Sequence, residues 1–447
     1  MSQRNTPKDD ASAGRHIGGI VSAGGVRALG MVLTLLLNFG IMRLLGAEGY
    51  GVYIFGLSAG LLASVFGRLG VERFGIRLMV PALTEGQYGQ LKGILIWAFG
   101  ISLGATVLTA VMLSLAARFV PVYGDSLHIS GAIAIVVTLL MACQGALRSS
   151  GSTAIAIAPE FVARPFFILL LIVADRLIWT AEAPPAPERL LILYCAGTGL
   201  ATLVSSALVL RRLPMARLAA VKAEFEGREW FKIALPIYWS NLMLLSQPQL
   251  VILIAGAILV PADVGWVGFA IRVATAVSIP LGVVGLYAAP KIVRRYKAEN
   301  FAGLQTDLTL YCRVTALTGL FAAIILALSL WLGVVSLIDT SFIGAEGLVM
   351  VFVLGQFLTA LTGPVGAVLA MTRYERAGAG ISTVSLFVLV IVGFGAGSLF
   401  GMYGIALASI AAVGFRSAAN FLVAKRKLNV WALPFGADVI TRGKSHG

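Results

Sequence analysis

The sequence predicts an all-α integral membrane protein, with twelve transmembrane helices in two six-helix lobes related by a pseudo-two-fold axis along the membrane normal. Three observations carry this expectation: apolar runs of bilayer length, basic residues sorted between alternate loops, and a local pattern that recurs in the two halves. Hydrophobic residues make up 59% of the 447 and charged residues only 12%. A soluble domain would be about one quarter charged.

A hydrocarbon core of about 30 Å needs about 20 apolar residues per helix. Such runs lie at 20–43, 50–69, 91–116, 127–147, 154–174, 190–210, 233–259, 264–288, 308–338, 347–371, 377–400 and 402–424. Each is read as a helix because backbone groups in lipid must be satisfied within the segment. With the N-terminus cytoplasmic, the inner segments collect most of the 34 lysines and arginines, including Arg73, Arg77, Arg211, Arg212, Lys291, Arg295 and Lys425. The outer segments hold Arg43, Arg118, Arg176 and Arg189, outnumbered by acids such as Glu48, Asp125, Glu188 and Asp263. This asymmetry places both termini in the cytoplasm. The net charge of +14 is therefore read as topology, and a nucleic-acid partner is not expected. The polar N-terminal stretch lacks an A-x-A site, so no cleavable signal is expected. Cys143, Cys195 and Cys312 have neither metal nor disulfide spacing and read as small core residues.

The basic loop at 213–230 separates an N-lobe (17–212) from a C-lobe (231–427), with tails at 1–16 and 428–447. It reads as a solvated, topogenic loop. Ala47-Glu48-Gly49-Tyr50-Gly51 stands between spans one and two, and Ala262-Asp263-Val264-Gly265-Trp266 between spans seven and eight. Six spans per half give both halves the same orientation, and a parallel repeat implies a cavity between the lobes. The 51 glycines exceed the roughly 31 of average usage. Gly56 with Gly60, and Gly393, Gly397 and Gly401, form small-residue ridges suited to close packing or to helix sliding. Pro236 and Pro248 mark span seven as a place for bending.

Charges inside the bilayer demand a reason, since a central arginine costs about 2.5–3.5 kcal/mol even on the lenient insertion scale. Arg27 and Arg416 lie about two turns from the inner face, where snorkelling and an interior role are both open. Arg272 falls about 13 Å along its helix from Asp263, near the midplane, and is read as facing a watery cavity. Arg164 follows Glu160 by one turn, which suits either an ion pair or a division of labour, with Arg164 on an anionic ligand and Glu160 supporting it. Four arginines against this one glutamate leave the interior cationic and favour an anionic cargo such as a phosphate-bearing lipid. Asn38, with Thr34 on span one, and Asn241 and Gln247 on span seven occupy equivalent helices. They suit cross-helix hydrogen bonds or the lining of a hydrophilic pathway.

Catalytic patterns fail in context. Gly56-Leu57-Ser58-Ala59-Gly60 matches a nucleophile elbow but lies within a span. The histidines have no motif partner, and no metal or cofactor motif is present. The chain is therefore expected to be no enzyme.

Three blocks carry a resemblance: LLGAEGYGVYIFGLSAGLLASVFGRLGVERFGIR at 44–77, the stretch 230–296 with ALPIYWSNL and ADVGWVGFAIRVA, and FIGAEGLVMVFVLGQFLTALTGPVGAVLAMTRY at 342–374, followed by GMYGIALAS. Together they resemble the polysaccharide transporter (O-antigen flippase-like) branch of the multidrug/oligosaccharidyl-lipid/polysaccharide exporter superfamily. The resemblance implies a MATE-like fold that exports undecaprenyl-pyrophosphate-linked oligosaccharide across the bacterial cytoplasmic membrane by alternating access. It implies cationic cavity residues, matched here to Arg272 and Arg164. It also implies membrane lipids, a polysaccharide polymerase and other assembly proteins as partners, and leaves the coupling ion open. The alternatives are a cation-coupled multidrug or small-metabolite antiporter of the same fold, and a membrane-embedded glycan-processing enzyme.

Overall fold

The computed structural model describes residues 7–178, 184–334 and 339–435. Its helices are α1 (Pro7–Gly67), α2 (Val71–Thr84), α3 (Tyr88–Ala116), α4 (Gly124–Ser149), α5 (Thr153–Ala158) and α6 (Arg164–Ile178). There follow α7 (Pro187–Arg212), α8 (Met215–Ala220), α9 (Gly227–Ile258), α10 (Pro261–Ala274), α11 (Ile279–Lys297) and α12 (Phe301–Trp331). The last are α13 (Glu346–Thr362), α14 (Val365–Ala370) and α15 (Glu375–Leu428). Among the described residues nine helices are long and apolar enough to cross a membrane. Two of them are broken by glycines in non-helical conformations, α1 at Gly46 (φ 64°) and α15 at Gly401 (φ 60°). Each supplies two crossings, and α13 supplies the shorter twelfth. The chain is a multi-pass membrane protein with the expected all-α, twelve-span architecture.

The break at Gly401 turns α15 back on itself. Ser385 Oγ donates to the Ala412 carbonyl at 2.7 Å, and Gly397 packs against Ile405. Positive φ costs glycine little, and the absent side chain lets the two arms approach. In span seven α9 is continuous through Pro236 and Pro248. The discontinuities fall elsewhere. Pro159–Ala163 forms a π-turn between α5 and α6, Thr275–Ser278 is a 3-10 turn after α10, and Gly363 (φ 55°) separates α13 from α14.

The span expected at 264–288 therefore divides, and its second part continues as α11 to Lys297. The span at 308–338 starts earlier, at Phe301, and ends at Trp331; 335–338 lie outside the described residues. Helix α2 is an amphipathic element between spans two and three that the apolar runs do not reveal. α11 occupies the same place in the second half, so the repeat extends beyond the twelve crossings.

Contacts divide the chain into two compact units, 1–45 with 56–242, and 46–55 with 243–447. In the first, α4 packs against α2, α3 and α7. Ser130 Oγ donates to the Gly56 carbonyl at 2.6 Å, and Thr106 and Thr138 hydroxyls pair at 3.0 Å. Cβ atoms at Gly56 and Gly60 would lie within 3.0 Å of α4. That ridge is packing. The basic loop keeps its charged side chains exposed, and its backbone is also tied to α3. Glu224 N donates to the Gly89 carbonyl at 3.0 Å, and Lys92 Nζ to the Val221 carbonyl at 2.8 Å. Trp230 is fully buried against Trp97. Burial of Leu218 and Trp230 anchors the loop, while its charged side chains stay exposed.

In the second unit α13 packs on α10, α12 and α15. The C-terminal stretch after Leu428 is likewise no free polar tail over its described part. Gln305 holds it in both directions, its Nε2 donating to the Trp431 carbonyl at 3.0 Å and its Oε1 accepting from Trp431 N at 2.6 Å. Val430 and Ala432 are fully buried, and Arg313 Nε donates to the Pro434 carbonyl at 2.6 Å. Gln305→Ala leaves two backbone groups unmade, at about 1–3 kcal/mol. The expected result is a lower Tm and faster proteolysis within 429–435, read by limited digestion of the purified protein.

Candidate functional site

In the first unit the polar residues gather at the π-turn. Its geometry follows from Pro159, which has no N–H to give an α-helical bond; π-turns recur at functional positions. Gly30 brings span one onto this turn, since a Cβ there would lie 2.4 Å from the Phe161 carbonyl oxygen. One turn earlier, the Arg27 guanidinium lies over the Phe161 ring, 5.2 Å from its centroid. Its Nε is buried without a hydrogen-bond partner. Arg27 thus faces span five.

The Glu160 carboxylate accepts from Gln144 Nε2 at 2.6 Å, and Gln144 is itself buried. This contact from α4 is one the sequence spacing did not indicate. Arg164, half-buried, opens α6 just beyond the turn. Asn38 makes no cross-helix bond of the kind expected among the described residues. Its Nδ2 donates to the Thr34 carbonyl at 2.6 Å within its own helix, a back-bond that side chains so close to the backbone readily make. Asn241 is 3% exposed with neither amide atom hydrogen-bonded. Its nitrogen lies 3.5 Å from the Cβ position of Gly70, at the start of α2.

In the second unit two arginines have different settings. Arg272, half-buried on α10, stands beside the Tyr50 hydroxyl. That hydroxyl is fully buried and makes no hydrogen bond of ordinary geometry. Tyr50 is fixed by Phe342 at 6.1 Å between ring centroids, and Phe342 in turn by Phe269 at 5.1 Å. The guanidinium therefore rests on a rigid aromatic wall. Arg416 does not snorkel: it donates to Gln247 Oε1. Gln247 Nε2 donates to Ser385 Oγ at 3.0 Å, so one amide orders both a cation and a hydroxyl. Gln247 meets the expectation of a cross-helix bond. Asn420, one turn beyond Arg416, is buried with its Oδ1 unpartnered.

Among the described residues no carboxylate pairs with Arg27, Arg272 or Arg416. An interior cation without a fixed counter-ion holds its full attraction for a mobile anion. No group of three or more potential metal ligands occurs among the described residues.

Comparison with family models finds no match, and comparison with curated proteins finds none. Solved structures do match. One is the inward-facing conformation of a multidrug resistance MATE family transporter of the MOP superfamily, with TM-score 0.66 and 14% identity over 92% of this chain and 98% of that one. A second is the MATE multidrug transporter DinF-BH, with TM-score 0.60 and 16% identity over 93% and 97%. A third is a MOP superfamily transporter from Pyrococcus furiosus, described as having a binding pocket of reverse polarity, with TM-score 0.58 and 15% identity over 92% and 95%. Across nine-tenths of its length this chain has the twelve-helix, two-lobe fold of the MATE transporters.

Proposed function

We propose that the protein is a transporter working by alternating access, and that its cargo is an undecaprenyl-pyrophosphate-linked oligosaccharide exported across the bacterial cytoplasmic membrane. The observation that carries this reading is the imbalance of interior charge. Arg27, Arg272 and Arg416 stand in spans without a carboxylate partner among the described residues, and the Glu160 carboxylate is already bonded to Gln144. A pyrophosphate would supply the missing negative charge at several oxygens. Buried amides such as Asn241 have unused donor and acceptor capacity for sugar hydroxyls. A resident cationic cargo would instead meet repulsion from these arginines. The resemblance of the sequence blocks to oligosaccharide exporters supports the same assignment, as do termini placed in the cytoplasm by the charge asymmetry.

The direct test uses proteoliposomes that hold the purified protein and a labelled polyprenyl-pyrophosphate oligosaccharide. Protein-dependent loss of the label's protection from an added glycosidase supports the assignment, and an unchanged protected fraction contradicts it. A cation-coupled multidrug antiporter is the second reading, favoured by the multidrug neighbours and by the presence of Glu160 in a span. The two readings separate at Glu160→Gln, which keeps the hydrogen-bonding shape and removes the charge. Oligosaccharide turnover is expected to fall less than about threefold, in keeping with one replaced hydrogen bond. A loss of proton- or sodium-driven dye efflux in that variant, with no oligosaccharide turnover in the wild type, establishes the antiporter.

A further inference from the structure

At one end of the second unit, three chain segments converge on a cavity of about 390 Å³. The turn between α11 and α12 contributes Lys297, Glu299 and Phe301. The start of α15 contributes Arg373 and Tyr374, and its far end contributes Lys427. Three cations thus face one carboxylate. Among the described residues none of the three makes an ion pair. Their neighbours Lys291 and Arg295 do, closing on Asp307 at 3.1 and 3.0 Å. Asp307 therefore satisfies the cations on the preceding turns and leaves those at the cavity unmatched.

Basic residues in the last turn of a helix offset its dipole, which accounts in part for Lys297 and Lys427. It does not account for Arg373. That residue precedes the N-terminus of α15, where the N-cap Tyr374 makes no side-chain capping bond. A cation there is disfavoured and an anion welcomed. Arg373 is also held in place. Its Nε donates to the Tyr374 hydroxyl at 3.3 Å, and its guanidinium lies over the same ring at 5.4 Å. The Tyr374 hydroxyl donates onward to the Lys427 carbonyl at 3.4 Å. The cations are thus grouped by fixed elements around a space far larger than the ~30 Å³ share of one water. Phe301, 39% exposed, gives the cavity one apolar edge.

We propose that this pocket binds a phosphate group, supplied by the headgroup of an anionic membrane lipid. Basic pockets beside spans at the inner surface suit such headgroups, and the apolar edge suits the glycerol and acyl start of a lipid better than a free ion. The site is separate from the cargo residues, and the proposal does not depend on what the cargo is.

The test follows thermal unfolding of the full chain in nanodiscs of phosphatidylcholine with increasing phosphatidylglycerol. In the wild type phosphatidylglycerol raises Tm. In K297Q/R373Q/K427Q the apparent affinity for this lipid falls about tenfold or more, given roughly 1 kcal/mol for each surface cation. Cooperative unfolding in pure phosphatidylcholine, with Tm lowered only by the small dipole and Tyr374 contributions, shows that the variant is folded, and the lipid response is read as the rise above that value. K297R/K427R, with the charges retained, keeps the rise. R211Q/R212Q/K222Q, which removes three cations from the first unit, also keeps it. If inorganic pyrophosphate alone raises Tm in wild type but not in the pocket variant, the phosphate site stands and its source is soluble instead of lipid. If the pocket variant keeps the lipid response, or the distant variant loses as much, the proposal is overturned.

Discussion

If the cargo is the lipid-linked oligosaccharide proposed above, Arg272→Ala is expected to cut its export sharply while the protein still accumulates in the membrane. The guanidinium rests against Tyr50, whose ring packs against Phe342. Loss of one charge-assisted contact to a desolvated pyrophosphate costs about 2–5 kcal/mol, or at least about thirtyfold in turnover. Arg272→Lys keeps the charge but not the two-pronged donor geometry, and is expected to recover part of the activity. The check is export measured against the amount of protein in the membrane fraction. Full export by the alanine variant removes Arg272 from the mechanism.

The second large effect concerns stability. Gly51 and Gly265 belong to the two repeated acid–glycine–aromatic motifs, and within the second unit these motifs cross each other. A Cβ on Gly51 would lie 1.8 Å from the Pro261 carbonyl oxygen, and one on Gly265 would lie 2.0 Å from the Ala47 carbonyl oxygen. Backbone atoms cannot turn aside as a side-chain tip does, so the helices must separate. Overpacking typically costs 1–3 kcal/mol, and contact this short with backbone belongs at or above about 3 kcal/mol by the same reasoning. Gly51→Ala and Gly265→Ala are each expected to lower Tm and yield sharply. This holds even though alanine is the better helix former by about 1 kcal/mol. Gly40→Ala, where nothing lies within 4 Å, is the control and is expected to hold or raise Tm. Equal Tm values for all three variants contradict the close crossing.

The crossings were legible because a bilayer leaves a helix few alternatives, and runs such as 91–116 and 190–210 state their length directly. They return as α3 and α7 within a few residues. The repeated motif was legible too, but not its meaning: two similar pentapeptides do not say that their glycines touch. Helix α2 was missed because its mixed Val71–Thr84 sequence is too short and too polar for a hydropathy reading, although its amphipathic period was present.

Pairings between distant positions were beyond reach. Gln305 gave no sign of its partner Trp431, nor Gln247 of Arg416, since neither pair shares an element or a period. Of the two settings open to Asn38, a cross-helix bond or a polar lining, the described residues show no cross-helix bond; its Nδ2 donates within its own helix, to the Thr34 carbonyl. Of the interior charges, position along the helix marked those that need a reason. It could not show that Arg27 lies on Phe161.

A lipid-linked oligosaccharide cargo is tested by quantifying undecaprenyl-linked oligosaccharide in lipid extracts of cells with and without this protein. Complete units are expected to accumulate on its loss and to return to the original level when the protein is resupplied, but not when Arg272→Ala is supplied instead. Unchanged levels of these lipids on its loss, with a new sensitivity to toxic cations, would contradict this cargo and favour the antiporter.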